Sequence, residues 1–129
     1  MIEWKDEYSV SNEAIDNQHK QLFAIAGKAY ALLKDNLVTD KYDQIVAILD
    51  ELKDYTVYHF SFEEEYMKSI GYKKFLSHKT LHDDFIERIN NVNLNTIDEN
   101  QHKYILDTLD FIVNWIGEHI LGSDKQYAK

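Results

Sequence analysis

Residues 73–92, KKFLSHKTLHDDFIERINNV, space Phe75, His78, His82, Phe85, Ile89 and Val92 at steps of 3, 4, 3, 4 and 3. That rhythm turns one stripe of a helix toward neighbouring helices. Two imidazoles stand in the stripe among apolar side chains. The same rhythm returns later, where Ile105, Leu109, Ile112, Ile116 and His119 follow at steps of 4, 3, 4 and 3.

Two further amphipathic segments precede these. A helix over 12–35 is predicted from Asn12 as N-cap and the inward set Ile15, Leu22, Phe23, Ala26, Ala29, Tyr30 and Leu33. Residues 36–40 form a polar joint, and a helix over 40–70 follows, with Ile45, Ile48, Leu52, Tyr55 and His59 on one face and Gly71 as its C-cap. The third helix covers 73–92. The fourth covers 97–121, opened by a capping box, Thr96-Ile97-Asp98-Glu99, and followed by Gly122. An arm, residues 1–11, carries Trp4, Tyr8 and Val10 to lay against the helices. Short joints between long helices make neighbours antiparallel. The expected fold is all-α, an up-down-up-down four-helix bundle with an N-terminal arm, one domain over 1–129.

Composition agrees. The chain has no Pro and only four Gly, so long helices meet few breakers. It has no Cys, which excludes disulfides, thiolate zinc sites and iron–sulfur clusters. A formal net charge of -9 argues against nucleic acid and anionic membranes as partners. No apolar run approaches the ~20 residues of a membrane span, and the start Met1-Ile2-Glu3-Trp4-Lys5-Asp6 lacks the pattern of a signal peptide. A cytoplasmic location is the expectation. Surface patterning suits a monomer and an oligomer equally.

The chemistry lies in the histidines: His19, His59, His78, His82, His102 and His119. His78 and His82, four apart, project from one helix face, and His59 and Glu63 share that spacing. Asp124 lies five residues after His119, past Gly122, where a turn at glycine would fold its carboxylate back. In an up-down-up-down bundle, the start of the first helix, end of the second, start of the third and end of the fourth meet at one end. Five histidines therefore fall in one layer. His102 precedes His119 by seventeen residues, roughly 25 Å along a helix, so it is structural.

Five inward imidazoles are costly in an apolar core unless something satisfies them together. A metal would. Imidazole and carboxylate suit iron, zinc, copper or manganese. Five histidines with Glu63 and Asp124 are too many for one tetrahedral zinc. Two octahedral ions with two bridging carboxylates, a bridging oxygen and five imidazoles would leave one position open for a small molecule. An isolated Glu99-x-x-His102 has no second copy, which disfavours the ferritin-like carboxylate class.

The segments Ile15-Asp16-Asn17-Gln18-His19-Lys20, His59-Phe60-x-x-Glu63-Glu64, His78-x-x-x-His82 and His119-Ile120-x-x-x-Asp124 resemble the hemerythrin family, in particular its single-domain bacterial members. The likeness runs from Trp4 to about Tyr127 and covers all seven ligand positions. It implies a non-haem centre of two iron ions, one on His78, His82 and His119, the other on His19 and His59. Glu63, Asp124 and an oxo or hydroxo group would bridge them. It also implies reversible dioxygen binding for storage, transport or delivery, with an oxygen-using enzyme or a reductase as partner. Alternative readings are an oxygen or redox sensor acting in trans, and a peroxide- or nitric-oxide-handling enzyme. By helical spacing, Ile15, Leu22, Phe23, Tyr55, Trp115 and Ile116 are candidate walls of the binding pocket.

Overall fold

The computed structural model describes residues 3–35, 41–91 and 102–128. Four helices follow one another: α1 Glu13–Lys34, α2 Lys41–Ser69, α3 Phe75–Asn90 and α4 His102–Gly122. Short 3-10 turns, Asp6–Tyr8 and Asp124–Gln126, flank them. Among the described residues there is no strand. The joint 36–40, Val92 and the predicted capping box with the start of the fourth helix to 101 lie outside the described residues.

Cross-helix contacts fix the directions. Moving up α1 from His19 to Lys28, the partners on α2 descend from His59 to Glu51. Phe60 meets His82 while Glu63 meets His78, so α2 and α3 also run oppositely. His82 faces His119 and Phe85 stacks on Trp115, which sets α3 against α4. Tyr30, far along α1, donates its hydroxyl to Asp110 on α4 at 2.5 Å. These pairings define an antiparallel four-helix bundle.

Local chemistry sets the helix ends. The Asn12 side chain accepts from the backbone N–H of Ile15 at 3.1 Å, capping α1 as expected. Gly71 adopts φ +65, in the left-handed region that glycine favours. Its N–H bonds to Lys68 O and that of Tyr72 to Met67 O, a Schellman closure of α2. At the end of α4 the expectation needs correction. Helix runs through Gly122, which is not in the left-handed region, and the chain turns at Ser123 with φ -114 and ψ -50. No glycine conformation is needed to bring Asp124 back.

The arm packs as expected. Tyr8 is buried with its ring 5.3 Å from that of Phe23, and Trp4 lies 6.4 Å from Phe23. Asp16 fastens it by accepting from Ser9 Oγ at 2.6 Å and from the Val10 N–H at 2.9 Å. Two apolar clusters result. The larger includes Leu22, Phe60, Phe85, Ile116 and Ile120, and the smaller joins Val10, Ile15, Met67 and Tyr127. The histidine layer sits between them: α1, α2 and α3 pass from one cluster to the other at their histidines, and the turn after α4 carries the chain from Ile120 in the larger to Tyr127 in the smaller.

Candidate metal centre

His19 comes from the second turn of α1, His59 and Glu63 from late α2, His78 and His82 from early α3, and His119 from the last turn of α4. Asp124 opens the 3-10 turn that follows. All seven are buried, and the structure brings all seven together. His102 is the first residue of α4, so an unbroken stretch of helix separates it from this layer by roughly 25 Å.

The donor atoms divide into two groups that share both carboxylates. One comprises Glu63, His78, His82, His119 and Asp124; the other comprises His19, His59, Glu63 and Asp124. Within each, the candidate ligand atoms lie within 4.8 Å of one another. Glu63 turns Oε1 toward His78 (3.1 Å) and His82 (3.0 Å), and Oε2 toward His59 (3.2 Å) and His19 (3.6 Å). Asp124 turns Oδ1 toward His78 (2.9 Å) and His119 (3.0 Å), and Oδ2 toward His19 (3.2 Å). Each carboxylate thus gives one oxygen to each group.

Hydrogen bonding alone does not account for this layer. Nε2 of His119 stands 3.0 Å from Nε2 of both His78 and His82, and a single ring nitrogen cannot satisfy both. Both ring nitrogens of His19 and both oxygens of Asp124 are buried without a hydrogen bond, although their distances are short. Atoms that crowd together yet do not align on one another point instead at common centres between them. Imidazole nitrogen and carboxylate oxygen are the donors that first-row metal ions take. The residues fit a metal site.

The charges agree. Burial lowers the proton affinity of His19 and of His78, but the carboxylates of Asp124 and Glu63 outweigh it and push each up to about 9. His82 is raised as well, by Glu63 and Glu64 against its burial. Burial dominates at His59, which is lowered. Burial would raise Glu63 and Asp124, yet the surrounding imidazoles hold both carboxyl groups below their ordinary range. The two carboxylates thus favour positive charge at His19, His78 and His82, as they would favour a cation.

Three residues to which the sequence assigned no ligand-holding role hold the ligands in place. Nδ1 of His59 donates to the Gln18 amide oxygen at 2.7 Å, and Nδ1 of His82 donates to the Glu64 carboxylate at 2.9 Å. Each contact commits the opposite nitrogen, Nε2, to the centre. The Tyr127 hydroxyl donates to Glu63 Oε2 at 3.0 Å. Gln18 had a legible signal: it lies three residues after Ile15 and four before Leu22, within the inward stripe. Glu64 was visible only as part of the segment His59-Phe60-x-x-Glu63-Glu64, and Tyr127 had no signal beyond nearness to a ligand.

A cavity of about 10 Å³, the space of about one water, is lined by His19 and His59 of one group, His119 of the other and the shared Asp124. Leu22, Phe60, Trp115, Ile116 and Ile120 supply its apolar wall. Of the expected wall residues, Leu22, Trp115 and Ile116 are present. Ile15 instead packs with Val10, Met67 and Tyr127, Phe23 with the arm, and Tyr55 against the larger core. Phe60 and Ile120 were not expected. Phe60 also lies flat on His82, ring centroids 3.8 Å apart.

A four-helix bundle that closes its histidine–carboxylate donors into one buried layer defines a metal-binding bundle protein. Residues 10–129 match the family model described as the hemerythrin HHE cation binding domain. The chain is 51% identical over 127 residues to a bacteriohemerythrin of Clostridium acetobutylicum, covering 98% of each chain. It is 30% identical to a bacteriohemerythrin of Pseudomonas aeruginosa, over 97% of this chain and 78% of that one. A wild-type hemerythrin crystal structure superposes with a TM-score of 0.79 at 27% identity, over 99% of this chain and 95% of that one. This chain belongs to the hemerythrin family. No helix among the described residues is long and apolar enough to cross a membrane.

Proposed function

We propose that this chain binds dioxygen reversibly at a non-haem centre of two iron ions, serving oxygen storage, transport or delivery rather than catalysis. His78, His82 and His119 would hold one iron, and His19 and His59 the other. Glu63 and Asp124 would bridge the two together with an oxo or hydroxo group. The observation that carries this reading is the division of both carboxylates, one oxygen toward each histidine group. Two irons so held would supply the redox chemistry for reversible dioxygen binding.

The chain's own part is to position and to protect. The small cavity reaches both His19 and His59, the group with fewer donors and therefore room for a ligand, and touches His119 of the other group. Its wall is apolar apart from His19, His59, His119 and Asp124. Among the described residues, no additional acid lines the cavity to deliver protons to a bound gas. That favours a carrier over an enzyme that consumes oxygen or peroxide.

Anaerobic loading with ferrous iron, then exposure to air, tests the proposal. Two irons per chain, with a visible absorption band that forms in air and fades under argon, are expected. One metal per chain, or an oxidation that argon does not reverse, would overturn it.

A further inference from the structure

The contacts behind the ligands are unequal on the two sides. His82, in the three-histidine group, rests its Nδ1 on a carboxylate, that of Glu64 at 2.9 Å. His59, in the two-histidine group, rests its Nδ1 on a neutral amide, that of Gln18 at 2.7 Å. Both distances are those of good hydrogen bonds. They differ in charge. Glu64 lies at the edge of the site, its side chain 17% exposed, whereas Gln18 is buried.

An acceptor behind a metal-bound imidazole draws on its N–H and makes the opposite nitrogen a stronger donor. An anion does this more strongly than an amide. A stronger donor holds a metal more tightly and favours its higher oxidation state. The flat contact of Phe60 on His82 and the full burial of that ring keep the Glu64 contact from being diluted by water. On the other side, the Gln18 amide fixes the His59 ring without adding charge to it.

We propose that Glu64 and Gln18 sort the two metal positions, making the three-histidine position the tighter and more readily oxidised one and leaving the two-histidine position the first to give up its metal. This rests on the two-metal reading above. Both are positioning residues, acting through His82 and His59. The arrangement would keep the labile position on the side where the cavity opens.

The test is release of metal to a chelator from protein loaded anaerobically with cobalt(II), followed by absorbance. The wild type should release half its metal in a fast phase and half in a slow one. Glu64→Gln should accelerate the slow phase by about 10-fold or more and leave the fast phase alone, while Gln18→Glu should slow the fast phase. Circular dichroism of each variant separates a folding failure from a ligand effect. In the iron protein, Glu64→Gln should also raise the reduction potential. Equal acceleration of both phases in Glu64→Gln, or wild-type phases in both variants, would overturn the inference while leaving two metals per chain intact. A single metal per chain would instead remove the two-metal reading and this inference with it.

Discussion

The Tyr127 hydroxyl donates to Oε2 of Glu63 at 3.0 Å, the same oxygen that lies 3.2 Å from Nε2 of His59. Tyr127 thereby ties the chain's C-terminal turn to a carboxylate on α2. Burial together with the charges of Asp124 and Glu63 drives the phenol far above its ordinary range, so it remains a donor at every accessible pH. Tyr127→Phe keeps the ring that packs against Tyr66, Tyr72 and His78. It removes only the proton given to Glu63. The metal-free variant should lose about 2 kcal/mol in urea unfolding, as expected for a hydrogen bond to a buried charge. Loaded with metal, it should show shifted absorption bands, because Glu63 loses one of the contacts that orient it.

Metal uptake should release protons. In the metal-free chain His19 and His78 stay protonated up to about pH 9, and a metal needs their neutral form. Titration calorimetry at pH 7.5 in buffers of different ionisation enthalpy should show that release directly. Raised histidines stabilise the metal-free fold fully below about pH 6.5, the unfolded value, and that contribution is lost as pH rises through about 9. The lowered carboxyls of Glu63 and Asp124 contribute above the ordinary carboxyl range and are lost as pH falls below it. The metal-free protein should therefore unfold more easily at pH 10 than at pH 6.5. The loaded protein should not weaken in that way, since metal replaces the protons.

The helices and the layer were legible because both are periodic properties. The steps of 3 and 4 around His78, His82 and His119 identify inward faces, and alternation of direction carries four helix ends to one level. The sharing of oxygens by Glu63 and Asp124 was open to counting but not to geometry, since it depends on side-chain torsions that spacing leaves free. Ile15 shows the same limit from another side. It lies one turn from His19, as expected, but on the terminal side of the layer, where Val10, Met67 and Tyr127 enclose it. Leu22, one turn the other way, reaches the cavity. Spacing gives distance along a helix, and only packing tells which end of the site is covered.

Ile116 lines the cavity and is buried. Replacing it with Ser would place a hydroxyl where the wall is now apolar and bring water or a proton donor to the bound gas. The oxygenated protein should then decay to its oxidised form faster, by an order of about tenfold for a barrier lowered by about 1.4 kcal/mol. The rate of loss of the visible band in air measures this. An unchanged rate would mean that Ile116 does not guard the site.

Gly71 and Gly122 separate two ways in which a glycine can follow a helix. Gly71 sits at φ +65 with nothing within 4 Å of an added Cβ, so Gly71→Ala meets no clash and suffers only the left-handed backbone cost, roughly 1–2 kcal/mol. Gly122 likewise has open space around it, but it is the last residue of α4 and outside the left-handed region. There alanine is the better helix former, and Gly122→Ala should be neutral or stabilise by up to about 1 kcal/mol. The thermal unfolding temperature should fall for Gly71→Ala and hold or rise for Gly122→Ala. Metal content should stay at the wild-type level in Gly122→Ala, because the return of Asp124 depends on the turn at Ser123 and not on glycine. If Gly122→Ala instead lost metal, the chain would need a glycine conformation there to bring the carboxylate to His119.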